Sequence, residues 1–324
     1  MVRVRVPASS ANLGPGYDVF SVALKTPYLL VEAEKAEAGV VEVVNVGEYA
    51  GEVTDDPEKH AGARAARKLL SERAPGLGVS LRVDVSIPPR KGLGLSGAEA
   101  AGAVYAVNQL YNLGLDSVEM VYYAASAEPG GHLDNVAASL LGGFTIALND
   151  SFLGRTVVKA VKPPEDLEFV VVVPDILKTS TEDARRAVPE SLSRHHHVEA
   201  VGRAALATLS LCVSDPGLLI ESVVYDPYVE VARADAGVYG RGLDGRLLME
   251  EKRRILQLYH VAETVSGAGP SRLLWYRPSE NRGPEGERPI DKAVETVVDN
   301  LSSMGYRVHR IYYTSPSIHG CQIY

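Results

Sequence analysis

Residues 88–102, PPRKGLGLSGAEAAG, constrain the fold more than any other stretch of this chain. A strand-like run, VSLRVDVSIP, leads into a glycine-rich turn, and a helix-forming run follows at once. Glycines belong where a backbone bends tightly or comes close to another group. The free amides at the start of the helix then point into the turn, and with the helix dipole they make an anion site. A tight strand-to-helix turn that binds nothing would carry the same signature, so this segment alone leaves both readings open.

The chain has 324 residues, enough for two domains of ordinary size. With 46% hydrophobic and 23% charged residues it has the make-up of a globular protein with a sizeable core, not of a disordered chain. The net charge is −8 and no long basic run occurs, so nucleic acid is not an expected partner. An acidic protein that binds a polyanion must gather positive potential locally, from amides, a metal ion or a few Arg and Lys. No apolar run reaches membrane-spanning length, and MVRVRVP has the pattern of a sheet edge rather than a signal peptide. Two cysteines, Cys212 and Cys321, make no disulfide framework. They are expected to be buried, inert thiols, and the expected compartment is a reducing cytoplasm.

Val2, Val4 and Val6 alternate with Arg3 and Arg5 as in a half-buried strand, and YLLVEAE and VVEVVNV are further strands. Helices are expected over 58–73, 96–111 and 117–127, with Ala100, Val104, Val107 and Tyr111 as the buried stripe of the second. LLGGFTIAL is a strand opened by a double glycine. After residue 165 come a buried strand EFVVVVP, a helix over 194–212, strands HVAETVSG and SRLLWYR, a helix IDKAVETVVDNLSSMG and a last strand YRVHRIYYTS. Mixed strands and helices in this order predict an α+β architecture in two domains, 1–160 and 161–324. The stretch 154–166, with Pro163 and Pro164, is the predicted boundary. Trp275 is read as strand core, 277–288 as a solvated loop, and His195, His196 and His197 as solvated surface, because adjacent helical residues point apart.

Four further segments could carry chemistry. PASSANLGPGYDVF places Asn12, two glycines and Asp18 directly after the first strand, where backbone and short side chains can meet a polar ligand. AEPGGHLDNVAASLLGGF crowds Glu128, His132, Asp134 and Asn135 around Gly130 and Gly131. A carboxylate there can hold Mg²⁺, and an Asp–Asn pair can hold an amino group and a hydroxyl. In KTSTEDARRAVPE, Thr181 can cap a helix while Arg185 or Arg186 grips a carboxylate. VSGAGPS, with Gly267 and Gly269, allows close backbone approach between two strands. Each has a plain structural alternative: an Asx turn, a hydrogen-bonded histidine, a solvated helix face, an ordinary tight turn.

Together and in this order, PASSANLGPGYD, IPPRKGLGLSGA, HLDNVAASLLGGF and VSGAGPS resemble the motifs of the GHMP family of small-molecule kinases, most closely its homoserine kinase branch. The resemblance implies the GHMP kinase fold, with an N-terminal domain like the second domain of ribosomal protein S5 and a ferredoxin-like C-terminal domain. It implies ATP and Mg²⁺, a small hydroxyl substrate such as homoserine, and a homodimer. The segment Pro88, Lys91, Gly92, Leu93, Gly94, Leu95, Ser96 and Gly97 would take the nucleotide phosphates, and Ser96 and Glu128 the metal. Asn12, Asp18, His132, Asp134, Asn135, Gly267 and Gly269 would hold the acceptor. Thr181 and Arg185 match the family's TxEAR pattern, with Arg185 as carboxylate clamp. Ser96, Glu128, Thr181 and Arg185 are thus the implied catalytic set. No Asp base stands out, which leaves positioning as the implied mode of catalysis.

Departures from the family pattern raise two other readings, a different small hydroxy acid or alcohol as acceptor and a degenerate, non-transferring homologue. The phosphate turn reads as about two residues short with one serine of the pair missing. Glu99 stands where a small residue is usual, and its charge would repel a triphosphate unless a metal lay between them. The stretch between Glu128 and His132, PGG, is also short. Val229 occupies the place expected for a second substrate arginine, with Arg233 as a substitute.

Overall fold

The computed structural model describes residues 1–176, 181–283 and 286–324, with the side chains of Thr181 and Glu182 outside the description. The first half holds strands β1 (Val2–Ala11), β2 (Phe20–Ala36), β3 (Val41–Val46), β4 (Gly78–Asp84), β5 (Phe144–Asp150) and β6 (Arg155–Val161). Helices α1 (Ala61–Arg73), α2 (Leu95–Tyr111), α3 (Ser117–Ala125) and α4 (Asp134–Leu141) are interspersed. The second half holds β7 (Glu168–Pro174), α5 (Thr181–Arg186), α6 (Arg194–Val213), α7 (Pro216–Val223), α8 (Val229–Asp235) and α9 (Gly245–Tyr259). It ends with β8 (Ala262–Val265), β9 (Arg272–Tyr276), α10 (Pro289–Ser303), β10 (Val308–Thr314) and the short β11 (Gln322–Ile323).

One sheet runs β11-β1-β2-β4-β3, and β5 joins the start of β2 to β6. Its pairs are antiparallel except β3 with β4. The second sheet, β10-β7-β9-β8, is wholly antiparallel. β2 is far longer than YLLVEAE, because its first residues, interrupted in sequence by Lys25, Thr26 and Pro27, pair with β1 and β5. α1 begins at Ala61, three residues later than expected, since the His60 ring accepts from the Ala63 amide and caps the helix.

α2 positions the phosphate turn, and its small residues explain how. Ala100, Val104 and Val107 are fully buried as the stripe predicts, while Tyr111 is half-buried with its hydroxyl on the Gly78 carbonyl. Most of the rest of the helix is buried too, because it is packed between the sheet and α1, α3 and α4. Gly102 permits this: a Cβ there would lie 2.7 Å from both Val6 and Val31. The amino end of α2 is thereby fixed against β1.

The chain leaves the first sheet at Val161 and enters the second at Glu168. Pro163 and Pro164 between them are buried rather than solvated, and β6 belongs to the first sheet, so 154–161 is no linker. Phe144 from the first sheet stacks on Trp275 from the second at 5.8 Å, with Phe169 edge-on to Trp275 at 4.9 Å. The two sheets thus share a hydrophobic core. His195 and His197 are exposed as expected, and so are most described residues of 277–288. Cys321 is buried, but Cys212 is exposed, which corrects the expectation of two buried thiols. No described helix is long and apolar enough to cross a membrane.

Candidate functional site

A cavity of about 680 Å³ opens at the turn between β4 and α2. That is the size of a small-molecule site. Its floor is Gly92–Ser96 and Glu99, and Glu128, Asn135, Gly267 and Ala268 close one side. Glu52, Thr54, Lys59 and His60 form the other rim. Gly94 is the N-cap of α2 in the left-handed region (φ 68°), and Ala98 is the first amide to reach back to its carbonyl. The amides of Leu95, Ser96 and Gly97 therefore have no partner within the helix and are free to meet an anion.

The turn leaves no room for side chains. A Cβ on Gly94 would lie 2.1 Å from Ser9 Oγ, and one on Gly92 (φ 77°) would lie 2.2 Å from the Ser266 carbonyl oxygen. Ser266 Oγ donates to the Gly92 carbonyl at 2.7 Å and bonds Ser10 Oγ at 2.9 Å. The two glycine turns, far apart in sequence but adjacent in space, are thus clamped onto β1. The motif count also closes: the family's phosphate motif is a proline, three residues and Gly-Leu-Gly-Ser-Ser, and here Pro88 is followed by three residues, then Gly92-Leu93-Gly94. The turn is of full length, with Leu95 in place of the first serine and Ser96 as the second, which corrects the reading of a two-residue deletion.

Of the expected nucleotide segment, Pro88, Gly92, Leu93, Gly94, Leu95 and Ser96 line the cavity. Gly97 is buried beneath them and Leu93 is 1% exposed, so Leu93 is chiefly core. Lys91 is a correction. Its ammonium donates to the Pro174 and Ile176 carbonyls, both at 3.0 Å, and so ties the turn to the end of β7 instead of facing the cavity. Burial lowers its pKa.

Glu99 is 3% exposed. Its nearest cationic candidate is His60, at 3.6 Å, but burial lowers His60 to about 4, leaving a neutral ring. The ring accepts at Nδ1 from Ala63, so its Nε2 proton faces Asn45 Oδ1 at 3.3 Å and Glu99. Burial first, and the neighbouring Glu128 second, push Glu99 up to about 8. A carboxyl held that far up resists ionisation, which weakens the expected repulsion of a triphosphate.

Beside the cavity lies a second polar cluster. Arg185 Nη2 donates to Asp18 Oδ2 at 2.7 Å and to His132 Nδ1 at 2.9 Å. A ring nitrogen that accepts from a guanidinium is unprotonated, and burial lowers the pKa of His132, so its 3.7 Å approach to Asp18 is not an ion pair between full charges. His132 Nε2 is buried with no hydrogen-bond partner among the described residues. The guanidinium carbons of Arg185 and Arg233 lie 5.9 Å and 5.3 Å from the Tyr17 ring centroid. Arg233 is 3% exposed and donates to the carbonyls of Ala184 and Gly267. Val229 is core at 1% exposed. One turn further along α8, Arg233 brings a second guanidinium to the Tyr17 ring beside Arg185.

Asp134 heads α4, where burial lifts its carboxyl to about 7, and it accepts from the Asn135 amide at 2.7 Å. Asn135 Oδ1 accepts from Ser9 Oγ at 2.9 Å and borders the cavity. Asn12 knits the loops together: its Nδ2 donates to the Gly267 carbonyl at 2.7 Å and its Oδ1 accepts from the Asp18 amide at 3.1 Å. Gly269 (φ 78°) leaves room for the Tyr239 ring, which a Cβ would approach to 2.6 Å. The Thr181 side chain lies outside the described residues. The sequence reading singled out neither Tyr17 nor the 52–60 rim. Tyr17 sits within PASSANLGPGYD and could have been drawn from that motif, whereas nothing in residues 52–60 signals a cavity.

The donor set fits a divalent cation carried by phosphates. Ser96 is exposed at the cavity floor and Glu128 lines it, both oxygen donors. No cluster of three or more His, Cys, Asp or Glu among the described residues could hold a metal unaided. Mg²⁺ commonly binds this way, through one or two carboxylates plus phosphate oxygens and water.

Residues 61–143 match the GHMP kinases N terminal domain. Homoserine kinase of Halorubrum lacusprofundi is 40% identical over 287 residues, covering 87% of this chain and 89% of the relative. That of Methanococcus vannielii is 33% identical over 326 residues, covering 99% of this chain and 98% of the relative. Among solved structures, homoserine kinase from Cytophaga hutchinsonii superposes with a TM-score of 0.82 at 23% identity, over 100% of this chain and 97% of that one. Mevalonate diphosphate decarboxylase from Staphylococcus aureus shares the fold at a TM-score of 0.68 and 13% identity, over 100% of this chain and 97% of that one. With relatives this similar over most of its length, the chain belongs to the homoserine kinase family of the GHMP kinases.

Proposed function

We propose that this protein transfers the γ-phosphoryl group of ATP to the hydroxyl of L-homoserine. The observation that carries the reading is the placement of an amide-lined turn directly beside a cluster of two guanidiniums and a carboxylate. The first suits a phosphate chain. The second suits an amino acid zwitterion, with a carboxylate for Arg185 and Arg233 and an ammonium for Asp18. The named relatives support the same reading.

In this reading, residues 1–160 supply the nucleotide half and 161–324 close the acceptor side. The amides of Leu95, Ser96 and Gly97 would hold phosphate oxygens, and Ser96 Oγ and Glu128 would hold Mg²⁺, whose chemistry would be to screen the phosphate charge. Arg185 exchanges its Asp18 contact for the acceptor carboxylate and releases Asp18 for the ammonium. Asn135, on the border of the cavity and the cluster, orients the acceptor hydroxyl towards the phosphates. Asn12 acts through Asp18 and Gly267 by fixing both loops. Phosphoryl transfer asks little covalent chemistry of a protein, so in-line positioning and charge screening carry the catalysis.

The test is ADP release from ATP·Mg²⁺ with homoserine and a panel of small alcohols and hydroxy acids. Turnover with homoserine is expected; turnover only with another acceptor, or none, refutes the reading. Arg185→Ala is expected to raise the acceptor KM by about 30-fold or more, the cost of truncating a charge-assisted contact, and to change the ATP KM little. Equal loss of both would refute the clamp.

A further inference from the structure

A second cavity, of about 430 Å³, lies between the first half of α6, the junction of α7 with α8, and α9. That volume is within the range of small-molecule sites. It shares no lining residue with the cavity at the phosphate turn, and neither Arg185 nor Arg233 borders it. Val224, Met249 and Leu256 give it an apolar surface, and the half-buried Tyr225 adds a ring.

Two guanidiniums face this surface, from Arg203 on α6 and Arg253 on α9. Arg203 lies over the Tyr225 ring at 4.9 Å and donates to the Glu221 carbonyl at 3.2 Å. Arg253 is exposed. Burial and then Glu199 raise the pKa of Tyr225, while Arg203 and Arg253 both pull it down, so the two cations act on one hydroxyl. Neither guanidinium has an ion-pair partner among the described residues. Lys252 also lines the cavity but is 2% exposed and already committed, since its ammonium donates to Glu230 and to the Val224 carbonyl. The carboxylate on the lining, Glu199, lies 3.5 Å from His195 Nε2. In a chain of net charge −8, two uncompensated guanidiniums above an apolar surface concentrate positive potential.

The walls are held from behind. Asp226, 1% exposed, accepts from the amides of Tyr228, Val229 and Glu230, which fixes the Tyr225 segment to the start of α8. Lys252 ties the Val224 carbonyl to Glu230 on the same helix. A cavity braced in this way loses little freedom on taking up a ligand.

We propose that this cavity binds a small organic anion. Arg203 and Arg253 hold its carboxylate or phosphate monoester group, because a forked guanidinium meets two oxygens of either. Val224, Met249 and Leu256 cover its hydrocarbon part. The site stands independently of the chemistry proposed for the first cavity.

Benzoate, phenyl phosphate and neutral benzyl alcohol test it, titrated against the full chain by ligand-observed NMR. A non-hydrolysable ATP analogue, Mg²⁺ and homoserine are kept in excess to occupy the first cavity. At least one of the anions is expected to bind once per chain with a Kd of about 1 mM or tighter, and benzyl alcohol about tenfold more weakly or worse. The tighter of the two anions names the headgroup. Arg203→Gln and Arg253→Gln should each weaken anion binding by about tenfold or more. Arg254→Gln removes the same charge from an exposed neighbour off the lining and should change it by less than about twofold. Arg253 is exposed, so its variant should keep the wild-type melting temperature even if Arg203→Gln does not. Failure of both anions to bind overturns the proposal. So does benzyl alcohol binding as tightly as the anions, or a loss in Arg254→Gln equal to that in Arg253→Gln.

Discussion

Glutamine at position 99 is predicted to stabilise the protein above about pH 8 and to leave it little changed near pH 5. Glu99 is 3% exposed, its Oε1 has no hydrogen-bond partner among the described residues, and the ring it faces is neutral. Burial holds its carboxyl at about 8, against 4.5 for the unperturbed group. Between those values the folded protein keeps a proton that the unfolded chain has lost. The folded state binds more protons there, so stability falls as pH rises, and the fall ends once pH passes the folded value. The slope is about 1.4 kcal/mol per pH unit, and the loss over the whole window is of order 5 kcal/mol. That is a large part of a typical total of about 5–15 kcal/mol. Glutamine keeps the shape and the acceptor oxygen but cannot ionise. His60 acts with the opposite sign: its lowered pKa makes stability rise between about 4 and 6.5, in wild type and variant alike. The difference between the two proteins therefore isolates Glu99. Urea unfolding in steps from about pH 5 to pH 9 measures it. A flat difference, or one in which wild type gains on the variant as pH rises, would show that the carboxyl is ionised in the folded state and that its charge does reach the cavity.

Gly94→Ala should weaken nucleotide binding by about tenfold or more, since its methyl group would lie 2.1 Å from Ser9 Oγ and the turn must shift; unchanged affinity by calorimetry would refute the amide cradle. Arg233→Ala should raise the acceptor KM by about tenfold or more with the ATP KM within about threefold, and lysine should not restore it; a rise confined to ATP would place this guanidinium elsewhere. Trp275→Ala should cost about 3–5 kcal/mol in thermal or urea unfolding, because Phe144 and Phe169 both pack on the ring; a loss under about 1 kcal/mol would mean the two sheets do not share a core there.

Where backbone conformation dictates residue type, the sequence is legible. Gly92 and Gly94 are readable as a turn because a side chain at either would collide with Ser266 or Ser9. The buried stripe of α2 is readable because helical spacing reports one face, yet it understates a helix enclosed on nearly all sides, since neighbours from other elements leave no mark on local spacing. The same limit hides the 52–60 rim, which reaches the phosphate turn only through packing of α1 on α2. It also hides the His60 ring that faces Glu99: the two are distant in sequence, and only their burial makes one neutral base and one neutral acid.

Lys91 shows how a sound local inference fails. A cation inside a phosphate-type turn is the natural partner for an anion, and nothing in KGLGL says otherwise. The deciding groups are the Pro174 and Ile176 carbonyls at the end of β7, more than 80 positions away. Both residues are buried where β7 ends, and a buried carbonyl left unpaired costs about as much as a lost hydrogen bond. The lysine is therefore drawn to the seam between the two sheets. The positive potential at the turn then rests on main-chain amides and the α2 dipole, which side-chain substitution cannot remove, and Lys91→Ala should loosen the seam more than it weakens the hold on phosphate.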